Sequence, residues 1–306
     1  LLIEVNNKVK VIRPKGKTVF PYSNSLFIDD DVSLIIDAGS GGRSYKDIPI
    51  NKVDILLITH FHFDHINGIS FFENAEVMAG EEEAEVYSDY DVYLEHTGYH
   101  RWWKKIMVED KTEEFGSDSI MPEDVPSNPG FQHIELDYIF KDGDVFDLGK
   151  SKVTAIHTPG HSYGHYAFYI EKDGILFSGD LDLAPWGPWY GGGYSNFDDL
   201  VKSVQKLIDI KPHVIATSHR KVFYDNVEQH LKDYINVALK KEDLIYDFLS
   251  VPRTFDEITS QRSLFTLNPK TQYVVFWNRM MILRHLERME LLGIIGKNED
   301  GKYIRK

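Results

Sequence analysis

The stretch "ITHFHFDHINGI" (58–69) places His60, His62, Asp64 and His65 within six positions, directly after an aliphatic run. His60 and His62 alternate, so at the end of an extended segment they can point the same way and reach one ion. Asp64 and His65 follow where the chain turns toward a helix and can reach a second ion beside the first. Imidazole and carboxylate are donors that suit zinc, and also iron or manganese. Distant segments add the same donor types at strand ends: His161 in "HTPGHSYGH", a Pro-Gly turn after "KVTAIH"; Asp180 in "FSGDLD"; and His219 in "IATSH". Singly, each reads as a turn residue. Together the seven suffice for two cations sharing one carboxylate. Two cations ~3.5–4 Å apart bring the pKa of a shared water toward ~7, so the chemistry such a set supports is hydrolysis by a metal-bridging hydroxide, with no side-chain nucleophile.

Strands and turns must bring these residues together. "SNSLFIDDDVSLIIDAGSG" reads as a hairpin turning at Asp29–Asp31 and running into a Gly-rich loop. "KVDILLITH" is a continuous apolar run, expected of a strand covered on both faces. "HYAFYI" and "GILFSGD" flank the turn "EKDG" as a second hairpin. "SNFDDLVKSVQKLIDI" sets Phe197, Leu200, Val201, Val204, Leu207 and Ile208 at helical spacing, with Ser195 or Asn196 as cap, and "HVIATSH" is a further strand. Sheet alternating with helix predicts layered sheets with helices outside. The last part has another texture. Thr254 and Glu257 form a capping box, "YVVFWNRMMILRHLERMELLG" is an amphipathic helix ending at Gly293, and "IIGKNEDGKYIRK" reads as strand, turn, strand. Two domains are expected: residues 1–240, and a winged-helix-like 241–306 that serves as a structural appendage, a subunit contact or a nucleic-acid reader.

Composition narrows the class. A 306-residue chain with 42% hydrophobic and 13% aromatic residues has material for a substantial core and is not a disordered chain. No apolar run approaches the ~18 residues of a membrane span, and "LLIEVNNKVKVI" does not read as a signal peptide. Cysteine is absent, which removes disulfides, thiolate ligands and a cysteine nucleophile and fits a cytoplasmic setting. The net charge is −14, yet residues 241–306 hold 11 basic and 9 acidic side chains, leaving 23 against 39 elsewhere. So acidic a body disfavours nucleic acid as a general partner. The expected partners are a small-molecule substrate and a second copy in a homodimer, without a membrane.

"THFHFDH", "TPGHSYGH", "SGD" and the final "SH", in this order, resemble the metallo-β-lactamase superfamily over roughly residues 15–240. The resemblance implies an α/β fold, a four-layer αββα sandwich with metals at the sheet edge. Carried over, His60, His62 and His161 would hold one divalent ion and Asp64, His65 and His219 the other, with Asp180 bridging. Asp37 in "IIDAG" matches the early aspartate that orients the metal-bearing loop, so Asp64, Asp180 and Asp37 are the expected catalytic carboxylates. Zinc is the expected metal, with iron or manganese as alternatives. Subgroups differ in what they match. His62 stands where flavodiiron oxygen reductases have glutamate, cysteine-ligand lactamases are disfavoured, and Leu183 replaces the tyrosine of quorum-signal lactonases. "TPGHSYGH" is similar to glyoxalase II, without that enzyme's basic glutathione-binding cluster. A sandwich followed by a winged helix also resembles a hydrolase subgroup that includes an endoribonuclease.

The expected reaction is hydrolysis of an ester, thioester or lactone. The alternatives are a phosphodiesterase or nuclease on RNA or single-stranded DNA, and an iron-dependent persulfide dioxygenase. "APWGPWYGGGY" follows the bridging aspartate, so Trp186, Trp189, Tyr190 and Tyr194 are expected to wall the substrate pocket. "YLEHTGYHRWWKK" is a second aromatic segment, in which Trp102 and Trp103 are expected to pack a helix and His96 and His100 lie at helical spacing. His165 is expected to brace its loop and His157 to be an ordinary strand-end residue.

Overall fold

Short runs of branched and aromatic residues separated by Asp, Gly and Pro turns form the strands. The computed structural model describes residues 1–107, 120–261, 264 and 271–306. One sheet runs in chain order through β1 (Leu2–Glu4), β2 (Val9–Ile12), β3 (Ser25–Ile28), β4 (Leu34–Ile36), β5 (Ile55–Leu57), β6 (Glu76–Gly80) and β7 (Tyr138–Phe140). The second contains β8 (Val145–Asp147), β9 (Lys152–His157), β10 (Tyr166–Ile170), β11 (Ile175–Phe177) and β12 (Val214–Ala216). Both expected hairpins are present, as the antiparallel pairs β3–β4 and β10–β11.

Period-two alternation sorts the side chains into layers. Leu26, Ile28, Leu34, Ile36 and Leu57 of the first sheet meet Val153, Ala155, Phe168, Ile170 and Phe177 of the second in one central core. The intervening residues face outward: Phe27, Ile35 and Leu56 pack beneath α1 (Gly42–Tyr45), α2 (Phe63–Ile66) and their flanking loops. The next helices, α3 (Tyr90–Thr97) and α4 (Tyr99–Ile106), come from the second aromatic segment. Ala167, Leu176 and Ile215 pack beneath α5 (Phe197–Ile210) and α6 (Val227–Phe248). Layers of helix, sheet, sheet and helix result, as the sequence implied. Asn196 caps α5, its side chain accepting from the amides of Asp198 and Asp199.

The C-terminal elements are α7 (Phe255–Thr259), with its Thr254–Glu257 capping box, α8 (Gln272–Leu291), and the hairpin β13 (Ile295–Lys297) with β14 (Tyr303–Arg305). They share a small core of Ile258, Ile282, Leu286, Met289 and Ile295 with Ile245 and Leu249. The expected boundary at 240/241 falls inside α6, which runs unbroken from the sandwich core at Leu231 and Tyr234 into this second core. Among the described residues no helix is long and apolar enough to cross a membrane.

Direction matters for the site. β11 and β12 are parallel, and β9 and β11 are each antiparallel to β10, so β9, β11 and β12 all end on one rim. In the facing sheet β4 and β5 are likewise parallel. Cross-sheet hydrogen bonds join the rims: Asn24 N–H to the Ser218 carbonyl (2.6 Å) and Tyr166 N–H to the Thr59 carbonyl (2.9 Å). Gly39, after β4, has no room for a Cβ, which would collide with the Asp64 carbonyl and the Ser23 hydroxyl. Gly39→Ala is therefore expected to destabilise the chain by about 1–3 kcal/mol, as overpacking does. Denaturant unfolding that matches the parent would contradict this reading of the loop contact.

Candidate metal centre

Strand ends deliver four of the seven donors, and His62, Asp64 and His65 follow at the start of the short helix after β5. His60 follows β5, His161 follows β9, Asp180 follows β11 and His219 follows β12, each after three or four residues; Asp64 and His65 sit on the short helix α2. Two clusters form. His60, His62, His161 and Asp180 make one, and Asp64, His65 and His219 the other, with donor atoms in each within 4.8 Å of one another. In the first, His60 Nε2, His62 Nδ1 and His161 Nε2 are separated by 2.9, 3.0 and 3.2 Å. A tetrahedral zinc with ~2.0–2.1 Å bonds sets its donors ~3.3 Å apart. Asp180 faces both clusters. Its Oδ2 lies 3.3 Å from His161 Nε2, and its Oδ1 lies 3.2 Å from His65 Nε2 and 3.1 Å from His219 Nε2. Asp64 closes the second cluster, 3.4 Å from His219 Nε2.

Outer partners decide which nitrogen each ring turns inward. His161 Nδ1–H donates to the Trp189 carbonyl (3.0 Å), and His65 Nδ1–H donates to Asp37 Oδ2 (2.7 Å), so in the neutral ring each Nε2 presents a bare lone pair. His65 Nε2 and Asp180 Oδ1 are buried, and neither has a hydrogen-bond partner. A lone pair and an anion facing each other in a dry space repel unless a cation or a proton lies between them. The donor set therefore fits divalent cations.

The charges follow the same division. Burial, reinforced in the His60 ring by its histidine neighbours, holds His60, His62 and His161 neutral, with His62 and His161 down at about 3. Burial also acts against charge on His65 and His219, but there Asp180 and the neighbouring carboxylates outweigh it; His65 is raised and His219 reaches about 9. Asp180, opposed by burial, is held well below the carboxylate range by His219, His65 and His161. Asp64 is raised, chiefly by burial. One cluster thus offers neutral imidazoles, and the other is a carboxylate-rich pocket that favours positive charge.

Asp37 sits at the end of β4 with a left-handed backbone (φ 59°) and is fully buried. Besides His65 it accepts from the Thr59 amide (2.8 Å) and hydroxyl (2.9 Å), which ties β4 to the histidine loop. His165 does more than brace its own loop: its Nε2 accepts the Asp180 amide (3.0 Å), while Nδ1 contacts the Thr158 hydroxyl (2.8 Å). His157 ends β9 and bonds the Tyr163 carbonyl (2.9 Å). Sequence reasoning missed Glu83. Its buried carboxylate, raised to about 7 by that burial, accepts the amides of Gly164 (2.8 Å) and Phe61 (3.2 Å) and so joins both histidine loops. The only hint was an acidic residue in "GEEEAE" at a strand end.

The aromatic segments need two corrections. Trp189 lies against His62 and His161 (ring centroids 5.5 and 5.2 Å), Trp186 is exposed under the Arg220 guanidinium, and Tyr194 sits beside His96. Tyr190 does not wall a pocket: it is fully buried, stacked on Phe197 and bonded to His285, because its polar tip finds a partner in the core. His96 and His100 do not share a helix face, since Gly98 (φ 79°) ends α3 between them. His96 is nearly buried against Phe61, and His100 is exposed. Trp103 stacks on Phe276 of α8, so α4 packs as a helix should. A cleft of about 510 Å³ is lined by Leu183, Ala184, Arg220, Phe223 and Tyr234, Arg220 being the residue after His219 in the chain.

Comparison with known proteins agrees with this geometry. The family model described as the metallo-beta-lactamase superfamily matches residues 18–219. The human protein named acyl-coenzyme A thioesterase MBLAC2 is 30% identical over 203 residues, which are 58% of this chain and 63% of that protein; its Gallus gallus counterpart is 28% identical over 202 residues. The chain thus matches less than two thirds of these relatives' length. A Bacillus subtilis protein named probable metallo-hydrolase YqgX is 27% identical over 209 residues, 64% of this chain and 83% of that one. Among solved structures, the metallo-beta-lactamase family protein TTHA1429 from Thermus thermophilus superposes with a TM-score of 0.70 at 21% identity, covering 99% of this chain and 100% of that one. Strand-end donors in two clusters, the layered sheets and the family match together make this chain a member of the metallo-β-lactamase superfamily.

Proposed function

We propose that the chain is a dinuclear, zinc-dependent hydrolase of thioesters. The observation that carries this reading is Asp180, whose two carboxylate oxygens face different donor clusters. His60, His62 and His161 would hold one cation, Asp64, His65 and His219 the other, and Asp180 would touch both. A complete second cluster favours two ions over the single iron of a persulfide dioxygenase. When bound, such a pair supplies a water ionised near neutral pH and positive charge against a developing oxyanion. The names of the thioesterase relatives support the choice of a thioester over other carbonyl substrates. The cysteine-free composition leads us to place the activity in a reducing cytosol.

The protein's own groups supply position. Asp37 fixes the His65 ring so that Nε2 faces inward, and His165 holds the Asp180 backbone through its amide. Asp64, through the Oδ2 that faces His219, would complete the donor set of the second cation. The Trp189 ring screens one side of the first cluster from water, and the cleft lined by Leu183 and Arg220 has the volume for one end of the substrate.

Asp180→Ala is expected to lower bound metal from two equivalents per chain, measured by elemental analysis. Thioester hydrolysis should fall by more than the ~100-fold that loss of an outer partner brings. The same preparation assayed on thioester, lactone, phosphodiester and β-lactam substrates should favour the thioester; a variant that keeps two zincs and full turnover would sink the proposal. Asp37→Asn keeps a residue tolerant of the left-handed backbone. It should remain folded while binding metal about 10- to 100-fold more weakly. Unchanged affinity in a competition titration would remove Asp37 from this role.

A further inference from the structure

The loop after Asp180 meets the metal cluster on one side and the C-terminal helix α8 on the other. On the cluster side, the Trp189 carbonyl accepts from His161 Nδ1–H, and the Ser195 hydroxyl donates to the His161 carbonyl (2.6 Å). On the other side α8 grips consecutive residues of the same loop. Trp277 packs edge-on against Trp189 (5.8 Å), and its backbone carbonyl and Cβ leave Gly191 only 3.0–3.1 Å of room where a Cβ would stand. Arg284, buried, donates to the carbonyls of Gly193 (2.6 Å) and Gly192 (3.3 Å).

The most enclosed of these contacts is the Tyr190 hydroxyl on His285 Nε2, 2.6 Å apart with both residues fully buried. The direction of the bond is set from behind. His285 Nδ1–H donates to Glu242 of α6 (3.3 Å), Glu242 is neutralised by Arg288, and Arg288 reaches Asp198 of α5 (3.2 Å). Nε2 is thereby left as the acceptor and the tyrosine as the donor. Tyr190 is the residue next to Trp189, so one peptide unit separates the group held by α8 from the carbonyl that orients His161.

We propose that the buried Tyr190–His285 hydrogen bond is a positioning device of the metal centre: it seats the Trp189 carbonyl that holds the His161 ring, and makes α8 part of the site instead of an appendage. The inference rests on the reading that His161 is a metal ligand. A lost outer partner loosens a ligand that still binds, so the effect belongs to one ion and not to both.

The test uses the full chain stripped of metal and titrated with cobalt(II), followed by its visible d–d absorption. The parent should take up two equivalents. Tyr190→Phe should bind one of them about tenfold more weakly with an altered spectrum, and the other unchanged. His285→Gln, whose amide oxygen reaches the place of Nε2, should restore parental binding, whereas His285→Leu should reproduce Tyr190→Phe. Leu249→Ala, which opens the C-terminal core without touching the loop, should lower the unfolding midpoint and leave both cobalt sites intact. Parental affinity and spectrum in Tyr190→Phe would overturn the proposal, as would equal weakening of both sites in step with Leu249→Ala. If Tyr190→Phe does not fold, the two His285 variants make the same comparison. A parent that binds cobalt but hydrolyses no thioester would discard the substrate reading and leave this one to the cobalt data; a parent that binds none would discard both.

Discussion

Asp180 stands between four imidazoles and another carboxylate in a space nearly closed to water, and the fold tolerates that crowding only if positive charge sits there. His65 Nε2 and Asp180 Oδ1 are buried without hydrogen bonds, and outer partners have already fixed the histidine protons on the far side of the His65 and His161 rings. A protein with no use for cations would gain by replacing any of these groups with an apolar side chain, because an unpartnered buried polar atom costs about 1–3 kcal/mol. The cost is borne in several side chains at once. Binding of metal and stability of the rim are on this view one equilibrium, and protons compete with metal most strongly where carboxylates raise His65 and His219.

The sandwich exists in the form it does to hold that rim. Parallel and twice-antiparallel pairing sends β9, β11 and β12 toward the same edge, and β4 and β5 arrive there from the facing sheet. Loops at strand ends are freer than the strands, so the site adds cross-ties: Asp37 to Thr59, Asn24 to the Ser218 carbonyl, Glu83 to the amides of both histidine loops. None of these groups is among the seven donors. Each fixes a backbone segment that does carry a donor.

What could be read from the chain alone follows from this division. His60, His62, Asp64 and His65 are dense and local, so their type and spacing were legible, and strand ends followed by His or Asp marked the distant donors. Alternating apolar residues gave the two hairpins and α5, with Asn196 as one of the two caps considered. The groups that position the donors were not legible. Glu83 looks like any acid in an acidic run, and nothing adjacent to Tyr190 or His285 in the chain signals that they meet 95 residues apart. Tyr190 was misplaced because a Trp/Tyr/Gly loop beside a metal site suggests a pocket wall, whereas burial in the core claimed its ring. The helical spacing of His96 and His100 does not become a shared face, because periodicity does not register a left-handed glycine between two helices.

The C-terminal elements show the same logic at larger scale. The winged-helix-like pattern of residues 241–306 raised a nucleic-acid role, and their near-neutral charge made it a minor one. In the structure the arginines of α8 are engaged by neighbours: Arg284 on the loop carbonyls and Glu287, Arg288 on Glu242 and Asp198, and Arg279 on Asp256, Thr259 and the Ile106 carbonyl. A guanidinium committed to such partners would have to give them up before it could neutralise a phosphate, and the loop it secures would loosen with it. Positive charge on this helix is thus accounted for by the loop and by acidic neighbours on α5, α6 and α7. Placed against the loop whose Trp189 carbonyl meets His161, α8 has its guanidinium groups committed to partners within the fold.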